Sequence, residues 1–117
     1  MAVKIKELVE NETDVTVKEL CSRLNLEVIN EGSGKVHMAT FNVSRPGLQF
    51  AGYYEHFSSE RVQIVGEQET SFLLHMSPEE RIVSCENFCK YDFPCLVITS
   101  VLEPIKELVD AAVKYNR

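Results

Sequence analysis

SRPGLQFAGYYEHFSSERVQIVG, Ser44 to Gly66, carries the reading of the fold. Its last part, Arg61–Val65, is rich in β-branched residues and is closed by Gly66, which reads as a strand. Its first part, Ser44 to Phe57, packs Pro46, Gly47, Gly52 and four aromatic residues into fourteen positions. Phe50, Tyr53, Tyr54 and Phe57 fall at i, i+3, i+4 and i+7, the spacing of one helical face about 100° wide. Pro46 suits a first helical position, so a short helix is expected to begin there. Gly52 in its middle costs that helix about 1 kcal/mol relative to Ala. Close approach of another strand or subunit would compensate. An aromatic stripe of this kind serves as core or as subunit interface more often than as a ligand platform.

Outward from this stretch, helices and strands alternate. Thr16-Val17-Lys18-Glu19 has the form of a capping box, and Val17, Leu20 and Leu24 share a face, so Thr16 to Leu24 reads as a helix. LEVI (Leu26–Ile29) reads as a strand, NEGSGK as a turn, and VHMATFNV (Val36–Val43) as its hairpin partner. Glu67 to Met76 reads as a helix. Ser77-Pro78-Glu79-Glu80 opens another, with Ser as cap and Pro in the first position. Ile82, Cys85, Phe88 and Cys89 supply its apolar face, and Asp92-Phe93-Pro94 breaks it. CLVIT (Cys95–Thr99) is wholly apolar and suits a strand covered on both faces. Pro104 opens the last helix, where Ile105, Leu108, Val109 and Ala112 recur at helical spacing. The pattern is an α/β domain in layers, a mixed β-sheet flanked by helices. No Pro/Gly/Ser linker divides residues 1–117, which read as one domain.

Composition narrows the function classes. Of 117 residues, 44% are hydrophobic and 26% charged, ordinary for a soluble globular domain. Eighteen acidic against twelve basic residues give a net charge of −6, which argues against nucleic acid and against an anionic membrane surface. No apolar run approaches the roughly 18 residues of a membrane span. MAVKIKELVE turns acidic before any apolar stretch develops, unlike a signal peptide. A cytoplasmic chain is expected. Cys21, Cys85, Cys89 and Cys95 form no CxxC pair, and reduced, partly buried cysteines without metal are expected. His37, His56 and His75 show no ligand spacing.

Gly32-Ser33-Gly34-Lys35 invites comparison with a phosphate-binding loop, G-x-x-x-x-G-K-[ST]. Counting back from Gly34 puts Ile29 where the first Gly belongs. Val36 follows Lys35 where the hydroxyl residue belongs, and the segment leads into a strand instead of a helix. A hairpin turn explains it better. The chain shows no nucleophile with its base and no paired-carboxylate site, so it is expected to lack catalytic and cofactor-binding residues of its own.

Ser44-Arg45-Pro46-Gly47-Leu48, Ala51-Gly52-Tyr53, Glu60 to Gly66 and Glu69-Thr70-Ser71-Phe72 come in a fixed order and spacing. With the VTVKEL opening, LNLEVI, FPCLVIT and the LEPIKELVDAA ending, this resembles the N-terminal domain of the bacterial HPr kinase/phosphorylase family, over roughly Val15 to Val113. The resemblance implies a fold similar to Mur ligase N-terminal domains. It implies a parent protein that phosphorylates a serine of the phosphocarrier HPr, with ATP or pyrophosphate and magnesium, and removes that phosphate by phosphorolysis. In the family this chemistry belongs to a C-terminal P-loop domain, absent from this chain, and the whole assembles as a hexamer that regulates carbon metabolism. The implied partners are the kinase domain of the same parent, HPr indirectly, and further copies of the chain. A stand-alone sensor of an anionic metabolite or nucleotide, near Ser44-Arg45 and the Gly32–Lys35 turn, is the other reading. The candidate ligand or interface residues are Ser44, Arg45, Gly47, Phe50, Tyr53 and Tyr54. Arg45 is pushed to extended backbone by Pro46; its guanidinium either holds a phosphate or carboxylate or pairs with an acidic neighbour.

Overall fold

Val62–Val65 (β2) is the central strand of the described sheet, and the burial of Val62, Gln63 and Val65 in succession is that of a strand covered on both faces. The computed structural model of the chain describes residues 18, 19, 22, 27–30, 42–99 and 103–117. Among them β2 pairs in parallel with Val43–Ser44 (β1) on one side and with Leu96–Ile98 (β3) on the other. The register sets Val43 opposite Val62, and Gln63, Ile64 and Val65 opposite Leu96, Val97 and Ile98. Parallel neighbours need crossovers. The four-residue helix Gly47–Phe50 (α1) lies in the first. Glu67–His75 (α2) and Pro78–Cys89 (α3) form the second, and Lys106–Lys114 (α4) follows β3.

The helix boundaries have local causes. Ser77 caps α3, its hydroxyl accepting the Glu80 N–H at 3.2 Å and donating to the Glu80 carboxylate at 3.0 Å, with Pro78 in the first turn. Arg81 then donates to the Leu73 and Met76 carbonyls at 2.9 and 3.1 Å, satisfying the open end of α2. Its remaining edge reaches Glu107 of α4 at 3.1 Å. The last helix starts two residues after Pro104, with Ile105 as its cap. Lys18, Glu19 and Ser22 are helical, within the helix expected at 16–24.

Phe50, Val65, Leu73, Cys85, Phe88, Cys89, Phe93, Ile105, Leu108, Ala111 and Ala112 form the core. Cys85 and Cys89 share one face of α3 and are wholly buried, as free thiols that burial pushes up to about 12. Gln63 is polar, also wholly buried, and sits in the middle of the sheet. Its amide donates to the Ser58 and Arg61 carbonyls at 3.0 and 2.9 Å, tying the first crossover to the strand it enters.

The α/β sheet flanked by helices is as the periodicity predicts. One reading changes. Glu27, Val28 and Ile29 belong to no strand, and Val28 and Ile29 are half exposed, so their alternation does not reflect one buried face. Every described strand pairing is parallel. The rest of the hairpin that would make the sheet mixed, with its Gly32–Lys35 turn, lies outside the described residues.

Candidate functional site

The carboxyl ends of the three parallel strands converge, and there the chain turns into its helices. Arg45 follows β1, Gly66 follows β2 and Thr99 follows β3. In parallel α/β sheets this edge is where ligands and partners are received. The Arg45 side chain lies across it. Its Nε and Nη2 donate to the two oxygens of Glu69 at 2.6 and 2.8 Å, a bidentate pair. Glu69 occupies the third position of α2 and is only 4% exposed, whereas the Arg45 side chain is 57% exposed. Burial alone would push the Glu69 carboxyl up. The hydrogen bonds from Arg45, from its own backbone N–H and from that of Gly66, with the Arg45 charge, outweigh burial and hold it below the ordinary value. Glu69 thus closes the N-terminus of α2 much as the Glu of a capping box does.

Gly66 makes this geometry possible by its lack of a side chain. A Cβ there would stand 2.9 Å from Arg45 Nη2 and 3.3 Å from Thr99 Oγ1. Beside the ion pair lies an open depression of about 490 Å³, lined by Arg45, Glu67, Gln68 and Ser71. Glu69 engages the Gly66 N–H, its own N–H and two N–H groups of Arg45, and Glu67 adds a negative charge. The depression therefore offers hydrogen-bonding groups with little net positive field.

The aromatic stretch differs from its expected form. The helix stops at Phe50 instead of running on to Phe57. Gly52 adopts φ +98°, its N–H bonds the Gln49 carbonyl, and the Tyr53 N–H bonds the Leu48 carbonyl, each at 2.9 Å. This is a Schellman termination, so Gly52 ends the helix and does not burden its middle. Ser84 of α3 donates to the Phe50 carbonyl at 2.7 Å. The chain continues in turns, with His56 at φ +61°. Three of the four rings still reach one cluster. Phe50 meets Phe88 edge-on at 4.9 Å, Tyr54 stacks on Tyr91 at 4.7 Å, and Phe57 contacts both Phe88 and Tyr91. Tyr53 points away and is half exposed, as is Leu48.

Of the candidate residues, Ser44 and Arg45 therefore border the strand ends, and Phe50 lies in the core. Tyr54 packs on its rim, and Tyr53 faces out. Gly47 has open space around it. The pairing role of Glu69, the close approach at Gly66 and the stacking role of Tyr91 were not foreseen. A Glu three residues after a glycine, just before an apolar run, was the available signal for the first. His75 Nδ1 lies 3.0 Å from the Ser71 carbonyl and His56 is exposed, while His37 lies outside the described residues. Among the described residues no cluster of His, Cys, Asp or Glu is placed to hold a metal, and no helix is long and apolar enough to cross a membrane.

The fold and this edge define a small parallel α/β domain whose strand ends are braced by a half-buried ion pair. The family described as HPr Serine kinase N terminus matches residues 15–117, and the chain belongs to that family. It is 45% identical over 103 residues to the HPr kinase/phosphorylase of Clostridium tetani, covering 88% of this chain and 34% of that protein. The HPr kinase/phosphorylase of Clostridium acetobutylicum is 40% identical, again over 88% of this chain and 34% of that protein. That of Thermoanaerobacter sp. (strain X514) is 43% identical over 104 residues, with the same coverage. The chain spans about a third of the length of these relatives.

Proposed function

We propose that this chain is the regulatory and interaction domain of a bifunctional HPr serine kinase/phosphorylase. The observation that carries this reading is the family match over residues 15–117, against relatives named for the activity, of which the match covers about a third. In this reading ATP, magnesium and phosphoryl transfer belong to a P-loop domain elsewhere in the parent protein. HPr is then met indirectly, and the parent works as a cytoplasmic homo-oligomer that regulates carbon metabolism. The geometry supports a non-catalytic role for the described residues. The strongly shifted groups Tyr54, Cys85 and Cys89 are held in or against the core, and the Glu69 carboxylate is committed to Arg45. Within the candidate set, Phe50 and Tyr54 act by packing. Ser44, Arg45 and Gly47 shape the strand-end surface, and Tyr53 with Leu48 offers an exposed apolar contact.

The test compares three proteins: this chain, the parent, and the parent lacking residues 1–117. Magnesium-dependent transfer of label from ATP to HPr is expected from the second and third only, with regulation or assembly altered in the third. Transfer by the isolated chain would overturn the reading, as would a truncated parent indistinguishable from the intact one. The sensor reading rests on the depression beside the half-exposed Arg45. Calorimetry with ATP, UDP-sugars and sugar phosphates decides it. Saturable heats abolished by Arg45→Met support a sensor, and their absence supports a contact module.

A further inference from the structure

The helix α2 has nine residues, too few to be a stable helix by itself. Its packing into the core is slight. Glu69, Thr70 and Leu73 are its buried side chains, Leu73 is the one that joins the core, and Leu74 is 57% exposed. By contrast, α3 sends Cys85, Phe88 and Cys89 into the core, and α4 sends Leu108, Ala111 and Ala112. What α2 has instead is a clamp at each end, and each clamp is supplied by another element. At its N-terminus Arg45, from the end of β1, holds Glu69 through two bonds of 2.6 and 2.8 Å. At its C-terminus Arg81, from α3, donates to the Leu73 and Met76 carbonyls at 2.9 and 3.1 Å and lies 3.5 Å from that of Leu74. A cation there meets the negative end of the helix. Glu107 of α4 steadies Arg81 at 3.1 Å, and the two side chains are only 15% and 21% exposed. Helix formation is cooperative, so in so short a helix the loss of one end weakens every turn.

We propose that α2 is a releasable segment, which opens as one unit while α3 and α4 stay folded, and that the Arg45 and Arg81 clamps set how often it opens. Glu67, Gln68 and Ser71 of α2 line the depression beside Arg45, so that depression exists only while the segment is closed. A group that competes for Arg45 at the strand ends thereby loosens the grip of Arg81 at the far end of the helix. The device is a property of the fold and does not depend on the function proposed above. Native-state hydrogen exchange on the 117-residue chain tests it, because a local opening shows as amides that exchange together and ahead of global unfolding. The Ser71 to His75 amides are expected to share one protection, below that of Cys85 to Cys89. Glu69→Gln should speed exchange across that whole set, His75 included, by about 5- to 30-fold. Arg81→Lys keeps the charge but loses the fork that reaches several carbonyls, and should speed the same set, Ser71 included. Ala112→Gly, toward the other end of α4, weakens only what remains folded when α2 opens. It should speed the Cys85 to Cys89 amides about 5-fold and leave those of α2 unchanged. Helix α2 amides no faster than those of α3 would overturn the proposal. So would an acceleration in Glu69→Gln that stops short of Leu73, which is mere fraying, or an Ala112→Gly effect equal in both helices, which means that α2 opens only with the whole domain.

Discussion

Arg45, Glu69 and Gly66 behave as a unit, because each explains the position of the next. The carboxylate is buried and the guanidinium is half in water, so breaking the pair costs less than a fully buried bridge would. Glu69→Gln keeps the shape but removes the charge. A loss of about 1–2 kcal/mol is expected at neutral pH, at the low end for a charged hydrogen bond because solvent screens Arg45. Since the folded carboxyl titrates below its ordinary value of 4.5, its stabilisation is complete above that pH and fades as the pH falls through the lower folded value. Urea titrations of both proteins should therefore differ at pH 7 and converge in strong acid. A gap that persists unchanged into acid would mean that packing, not charge, is responsible. The sequence displayed both partners of this pair but not the pairing, because 24 residues of chain separate them.

At the scale of elements, α1 is the instructive case. The aromatic period looked helical, yet turns deliver three of the four rings to the same cluster. A stripe needs only its Cβ atoms on one side of the chain, and alternative backbones satisfy that equally. Gly52 provides a test by sign. Inside a helix, Gly52→Ala would stabilise by about 1 kcal/mol. At φ +98° it should instead destabilise by about 1–2 kcal/mol, although there is open space for the methyl group. Thermal or denaturant midpoints read the direction at once. The rings divide in the same way. Phe50→Ala removes a 2%-exposed side chain and should cost about 3–5 kcal/mol. Tyr53→Ala, on the exposed side, should stay within about 0.5 kcal/mol. Equal effects from the two would refute the division.

Across the whole molecule, the alternation of strand, glycine, helix and apolar strand was legible because each element has its own period and its own punctuation. Parallel pairing was not, since it is decided by which crossovers pass over which face. Val28 and Ile29, half exposed and in no strand, show that a run as short as LEVI is a weak signal. The core has a chemical consequence that can be measured. Cys85 and Cys89, pushed up to about 12 by burial from an ordinary 9, favour the folded state fully below pH 9. That contribution is lost as the pH climbs toward 12, because the unfolded chain ionises first. Alkylation mapped by mass spectrometry should find both thiols silent in the native protein near pH 8 and labelled only through unfolding. Rapid native labelling would contradict the packing. Gln63 has a different consequence. Among the described residues β1 meets β2 over two residue pairs, a short ladder that by itself polices alignment weakly. The Gln63 amide is engaged only when the preceding loop has its proper length, with Ser58 and Arg61 both in reach. It acts as a proofreading device for strand alignment. One residue inserted between Ser59 and Glu60 should therefore harm folding more than the same insertion at the exposed Glu55–His56 turn, and soluble yield with denaturant midpoints would rank the two.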